Sequence, residues 1–305
     1  MHENAVFRDL VSILGEAHVA RNVPMKAYTS IRTGGPARFF AEPDTIEKVL
    51  ELLQYLRDKS ITHYIMGNGT NLLFPDSGYD GVVIRIGNKI SRITLEGNQI
   101  TAQAGASLAA VSARAMEASL EGLEFASGIP GTIGGAVAMN AGAYGGEMSQ
   151  VVKETLCVDE QGKLLRLKDQ EHGFGYRKSR IQTDALVVLE TTMILRPGEQ
   201  MEIRNRMADF NSRRREKQPL NLPSAGSVFK RPEGFYAGQL IQECGLKGHT
   251  IGGAQVSDKH CGFIVNLGNA TSQDVLDLIK LVRKTVYEKT GVLLEPEVRI
   301  IGGDL

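Results

Sequence analysis

The segment "LNLPSAGSVFKRP" (220–232) sets a small hydroxyl, Ser227, between two bends and follows it with Lys230 and Arg231. A serine in that setting could close a turn, attack a carbonyl, bind a phosphate or give up a proton. It stands in A-G-S-V rather than G-x-S-x-G, and no histidine lies at a recognisable partner spacing, so covalent catalysis is disfavoured. Turn former and phosphate ligand are equally credible on local sequence. "FGYRKSR" (174–180) offers Arg177, whose planar guanidinium can grip a carboxylate at two points as a lysine cannot. The plainer reading is a surface arginine in a basic turn beside Lys178 and Arg180. Glu297, in "LEPEVRIIG" (294–302), precedes an apolar strand, and a carboxyl at a strand edge could have a raised pKa and polarise a reacting group. A salt bridge to Arg299 or a solvated strand end competes with that role, and Glu295 is its natural rival.

Upstream lie two glycine-dense loops, "MGNGTNLLF" (66–74) and "EFASGIPGTIGGAVAMNAGAYGGE" (124–147). Glycine at such density allows main-chain N–H groups to approach a ligand and form an anion-binding nest. Eight glycines fall in residues 122–146, more than one or two turns require, whereas the first loop alone is better explained by a tight turn. The first loop has Leu72 where a dinucleotide fingerprint needs its third glycine, and there is no GxxxxGK[ST], so neither Rossmann nor P-loop binding is supported. Asn68, Asn71 and Asn140 add amides able to meet ribityl or phosphate oxygens.

The remaining cations are local. Lys217 ends the run "RRREKQPL", whose Arg213, Arg214 and Arg215 read equally well as a solvated face or as partners of a diphosphate. Lysine plus arginine equal aspartate plus glutamate at 35 each, which gives no global field toward nucleic acid or an anionic membrane. Three scattered cysteines with no CxxC pair, and no His/Cys/Asp cluster at metal spacing, argue against a disulfide framework and a catalytic metal. Charges within the first 22 residues and the absence of a long apolar run predict a cytoplasmic protein without membrane attachment.

The elements that must position these groups follow from periodicity. "DTIEKVLELLQYLRD" (44–58) reads as an amphipathic helix with Asp44 as N-cap and Glu47 completing a capping box. "HYIM" and "GVVIRI" read as strands, and residues 90–104 as an antiparallel hairpin turning at Gly97-Asn98. A helix capped by Ser107 follows, then a strand pair about 159–162, the strand "ALVVLETTMIL", a charged helix over 199–217, a long helix over 272–290 and a last strand, "EVRII". With 305 residues the chain is expected to form two or three closely packed domains.

Taken in order, "YTSIRTGG", "GNGTNLL", "SGIPGTIGGAVAMNAGAYG", "YRKSR", "SAGSVFKRP" and "LEPEVRIIG" resemble the UDP-N-acetylenolpyruvoylglucosamine reductase (MurB) family, from about Tyr28 to the C-terminus. The resemblance implies an α+β chain: a vanillyl-alcohol-oxidase-type (PCMH-like) FAD-binding fold in two subdomains, residues 1–80 and 81–200, plus a C-terminal α+β substrate-binding domain, residues 201–294. The strand in 295–305 would return to the first subdomain. No tyrosine-bearing insertion is evident between Tyr176 and Ser227, so the chain resembles the shorter branch. The implied reaction is reduction of UDP-N-acetylglucosamine enolpyruvate to UDP-N-acetylmuramate with NADPH as reductant, for peptidoglycan synthesis.

The same resemblance assigns Ser227 as proton donor and Arg177 and Glu297 as the groups that stabilise the enolate formed by hydride addition. Noncovalent FAD is expected on Gly67, Asn68, Gly69, Thr70, Asn71 and Leu72 of the first loop. In the second it is expected on Ser127, Gly128, Ile129, Pro130, Gly131, Thr132, Ile133, Gly134, Gly135, Asn140, Ala141 and Gly142, with Tyr144 either flanking the flavin or packed in its loop. Lys217, Lys230, Arg214, His260 and Tyr176 are expected at the substrate, while Arg231 stands where some relatives have asparagine. Lys217 and Lys230 are the candidate cations beside Ser227. A monomer is expected. An oxidase of another substrate on the same fold would need no carbanion protonation, and a nucleotide-binding protein without catalysis would be colourless.

Overall fold

The computed structural model describes residues 2–303. Two compact units are present: Met1–Arg21, Phe39–Asn68 and Gly81–Arg214 make the first, and Asn22–Arg38, Gly69–Asp80 and Arg215–Leu305 the second. The span 1–80 is thus shared between them, and position 200 opens a helix, Gln200–Lys217, most of which belongs to the first unit.

In the first unit His63–Met66 runs parallel to Tyr79–Arg85, with His63 opposite Val82 and Met66 opposite Arg85. Val82, Val83 and Ile84 are all fully buried, the continuous apolar run of a strand covered on both faces. The helix Ile46–Asp58 buries Val49, Leu52, Leu53 and Leu56. Its N-cap is Thr45, not Asp44: the Thr45 hydroxyl accepts from Lys48 N–H at 3.2 Å, while Asp44 pairs with the Lys48 ammonium at 2.9 Å. A helix over His2–Leu14, for which the sequence reading made no provision, adds Leu10 and Leu14 to the same core.

A five-stranded antiparallel sheet completes this unit in the order Leu164–Lys168, Val152–Val158, Val187–Ile194, Gln99–Gln103, Ile93–Glu96. The expected hairpin is there, with Glu96 opposite Gln99 and Gly97 at φ 60° in the two-residue turn. Ser107 caps Leu108–Glu117 by accepting from Ala110 N–H at 3.1 Å. The helix Gln200–Lys217 buries only Ile203; what fastens it is Arg206, which reaches Glu124 at 2.7 Å and Glu121 at 2.9 Å.

The second unit is a four-stranded antiparallel sheet, Ser224–Ser227, Phe263–Asn266, Ala254–Val256, Thr250–Ile251, whose apolar side packs with the helix Ser272–Thr290 through Val275, Leu278, Ile279, Val282 and Val286. Asp76 closes the helix start by accepting from Ser272 and Gln273 N–H at 2.8 and 2.9 Å. The final strand shrinks to Arg299–Ile300, parallel to Leu72–Leu73, and residues 304 and 305 of the expected returning segment lie outside the described residues. No described helix is long and apolar enough to cross a membrane.

Candidate active site

Within the first unit several glycines of the two loops stand where a side chain would collide. A Cβ on Gly67 would stand 2.3 Å from Thr132 Oγ1, and one on Gly128 would stand 2.4 Å from Asn211 Oδ1 and 3.2 Å from Arg214 Cδ. The backbone N–H groups of Gly67, Asn68, Gly128, Gly131 and Thr132 donate to no group among the described residues, and in the second unit the same holds for Gly69 and Thr70. Open amides on glycine-permitted close approach fit a diphosphate such as that of FAD, because each anionic oxygen needs a donor and the cradle has no Cβ to exclude it.

Other residues expected at the cofactor have N–H groups already bonded within the protein. Ile133 and Gly134 give their N–H groups to Ala106 and Ala104 carbonyls at 2.8 and 2.9 Å, and Ile133 is fully buried. Gly135 N–H goes to Thr132 Oγ1, and those of Ile129 and Ala141 to Ala126 and Ala136. Leu72 is a core strand residue paired with Arg299. The amide of Asn140, 1% exposed, bonds to protein, donating to Gly175 O at 3.1 Å and accepting from Ser149 N–H at 2.9 Å. Asn71 gives its side-chain N–H to the Glu297 carbonyl at 3.0 Å. Tyr144 stacks on Phe210 at 4.7 Å and 6°.

Arg177 is half-buried at φ 54°, and its guanidinium donates to Gly142 O at 3.1 Å. Tyr176, exposed, lies with its ring 5.3 Å from the Arg177 Cζ. Ser179 anchors the loop on its far side, donating to Ala138 O at 2.7 Å. Ahead of it, buried His172 donates from Nδ1 to Asp169 O and accepts at Nε2 from Thr155 Oγ1, both at 2.9 Å, and stacks on Phe174. Burial holds the His172 ring below the ordinary histidine value.

In the second unit Ser227 ends a strand rather than lying in a free loop, and Gly226 at φ 80° supplies the irregularity before it. Val228 N–H bonds to Gly262 O at 2.8 Å, and Val228 O accepts Glu297 N–H at 2.7 Å. Phe229 bridges Pro296, and Lys230 N–H reaches Glu295 O at 2.8 Å. Ser227 and Glu297 are therefore held by adjacent backbone, both half-buried. Ser227 Oγ donates to Phe229 O at 3.2 Å.

The sequence reading found no histidine partner for Ser227, but the fold brings His260 near it: a Cβ on Gly262 would stand 3.0 Å from His260 Cε1 and 3.5 Å from Ser227 Oγ. Burial keeps the His260 pKa low, and its Nδ1 accepts Gly262 N–H at 3.1 Å, so the ring is neutral with its proton on Nε2. Lys230, expected among the cations beside the serine, pairs its ammonium with Glu295. Lys217 is exposed. Arg214 belongs to the first unit, where burial lowers its pKa against the smaller opposing effect of Tyr144. Arg231 stacks on Tyr236 at 4.1 Å.

The sequence reading missed Asn211, which donates to Ser127 Oγ at 3.2 Å from within a charged helix. It also missed Ser30, whose hydroxyl reaches Ser224 O at 2.6 Å across 194 positions. Neither carries a local signal.

The family model described as "UDP-N-acetylenolpyruvoylglucosamine reductase, C-terminal domain" matches residues 218–301, and one described as "FAD binding domain" matches 37–168. A UDP-N-acetylenolpyruvoylglucosamine reductase of Caldanaerobacter subterraneus is 50% identical over 96% of this chain and 97% of its own length. That of Clostridioides difficile is 45% identical over the whole of both. The crystal structure of the enzyme from Thermus caldophilus, 36% identical, superposes with TM-score 0.80 over 92% of this chain and 98% of that one. A Phl p 4 glucose oxidase variant, 17% identical, matches with TM-score 0.50 over 63% of this chain and 44% of its own, a likeness of fold alone.

Proposed function

The chain belongs to the UDP-N-acetylenolpyruvoylglucosamine reductase family, and on that premise we propose that it reduces UDP-N-acetylglucosamine enolpyruvate to UDP-N-acetylmuramate, a peptidoglycan precursor, with NADPH as reductant. The observation that carries this reading is identity of 45% along the full length of both chains, with the flavin-domain match alongside it. FAD, when bound, supplies the hydride chemistry between the reduced nicotinamide and the enolpyruvyl double bond.

The chain's own residues then have three tasks. Hydride arriving at the terminal carbon leaves negative charge on its neighbour, delocalised into the carboxylate, and Arg177 is the group we assign to grip that carboxylate. Glu297, held by its backbone to Val228, is assigned to orient the reacting group. Ser227 is assigned to deliver the proton: its hydroxyl holds only a long bond to Phe229 O and can turn toward a basic carbon. His260, neutral and hydrogen-bonded to Gly262, lines the serine without adding a charge.

Lys217, Arg214 and Tyr176 are proposed for the sugar nucleotide, and Lys230 would join them only by leaving Glu295. The proposed setting is a reducing cytoplasm, consistent with three free, buried cysteines, and the enzyme is proposed to act as a monomer. The test is anaerobic reduction of the purified flavoprotein by NADPH followed by the enolpyruvyl sugar nucleotide. Prompt flavin reoxidation with formation of UDP-N-acetylmuramate is expected; reoxidation by oxygen alone would overturn the reading.

A further inference from the structure

Asn140 stands in the second glycine loop, where its residue type suggests an amide for the cofactor, yet both ends of its amide bond to the protein. It is 1% exposed, in the left-handed region at φ 42°, a conformation asparagine tolerates better than most side chains. Its Oδ1 accepts from Ser149 N–H at 2.9 Å, and its Nδ2 donates to Gly175 O at 3.1 Å. Gly175 pairs with Lys178 across a tight turn, closed by bonds of 3.0 and 3.2 Å, and Arg177 is in that turn.

The turn is tied back to the same loop a second time. Arg177 donates from its guanidinium to Gly142 O at 3.1 Å, two residues beyond Asn140. That carbonyl is on a rigid mount: Gly142 pairs with Glu147, and a Cβ there would stand 2.7 Å from Gly146 O and 2.8 Å from Glu147 Cβ. The guanidinium thus rests on the glycine loop at one end while Asn140 fixes the backbone of its turn at the other. With Arg177 at φ 54°, a conformation that a bulky residue adopts only when its surroundings hold it there, the Gly175 bond opposes relaxation of the turn.

We propose that Asn140 is a positioning residue for Arg177: its amide joins the flavin-binding glycine loop to the arginine turn, so that the loop that seats the cofactor also sets where the guanidinium meets the substrate carboxylate. This rests on the role of Arg177 proposed above. A shift of about 1 Å in a positioned group can cost about a hundredfold in rate. The chemistry of flavin reduction by NADPH needs no carboxylate grip, so only the second half-reaction depends on the bond.

The experiment is a double-mutant cycle on the full flavoprotein, read by anaerobic stopped-flow in both half-reactions. Asn140→Asp keeps the shape and the acceptor but replaces the donor with an oxygen that repels Gly175 O. Alone, it is expected to slow flavin reoxidation by the enolpyruvyl sugar nucleotide about 10- to 100-fold, with flavin reduction changed less than about twofold. In an Arg177→Ala background the same change is expected to cost less than about twofold more, because the group it positions is gone. Should Asn140→Asp fail to fold, Asn140→Ser, short and uncharged, takes its place in the cycle. Additive losses, or equal slowing of both half-reactions with release of FAD, would make Asn140 merely structural and overturn the assignment while leaving the function standing. An unaltered protein whose reduced flavin is not reoxidised by the sugar nucleotide would overturn the function and this assignment with it.

Discussion

Replacing Ser227 with alanine removes one oxygen, and the structure sets how much that oxygen does for the fold. Among the described residues its hydroxyl bonds to Phe229 O alone, at 3.2 Å, longer than the roughly 2.7–2.8 Å at which hydroxyl bonds cluster. A neutral bond nets about 1 kcal/mol at best, so Ser227→Ala should lower the melting temperature by no more than a few degrees. The surrounding backbone stays fastened, Val228 to Gly262 and Glu297 to Val228. A general acid contributes about 10²–10⁴ in rate, or about 2.7–5.4 kcal/mol at about 1.36 kcal/mol per decade. The chemical loss therefore exceeds the structural one several-fold. Anaerobic stopped-flow at the flavin absorbance should find reduction by NADPH nearly unchanged and reoxidation by the enolpyruvyl substrate slowed by at least about a hundredfold. Equal slowing of both steps, or reoxidation kept at the native rate, would refute the reasoning.

Two further outcomes follow from the first unit. His172 is held neutral, so folding disfavours its protonated form; stability should be whole above the ordinary value of 6.5 and drain away as pH falls from there toward the lower folded value. His172→Gln should reduce that acid loss in a melting-temperature profile, with His260, shifted the same way, accounting for part of the remainder; an unchanged profile would sink the assignment. Gly67→Ala would force a Cβ to 2.3 Å from Thr132 Oγ1, costing about 1–3 kcal/mol. It should shed FAD on ultrafiltration more readily than the native protein, and an alanine variant with native melting temperature and full flavin content would contradict the close-packed cradle.

Local signals were legible where one residue and its near neighbours suffice. Ser107, the Gly97-Asn98 turn and the helix Ser272–Thr290 follow from capping, turn geometry and 3.6-residue spacing, and the structure has each of them. The cap of Ile46–Asp58 fell to Thr45 because the adjacent Asp44 had a lysine to pair with. The expected strand "EVRII" shortened to Arg299–Ile300 because the amides of Glu297 and Val298 turn to the Val228 carbonyl rather than to the strand Leu72–Leu73.

The ordered motifs alone pointed to the family and the flavin and singled out Ser227, Arg177 and Glu297 as the residues proposed for the chemistry, because motif residues are written contiguously in the chain. Tertiary structure alone decided what each neighbour does. Asn71 and Asn140 look alike in sequence as cofactor amides, yet one holds the Glu297 carbonyl from 226 positions away and the other the Gly175 carbonyl from 35. His260 lies near Ser227 only because antiparallel pairing sets Phe263 opposite that serine. Lys230 pairs with Glu295, a carboxylate 65 positions away that the fold brings within reach. A hydrogen bond depends on distance in space, and distance in space is fixed by packing rather than by spacing along the chain.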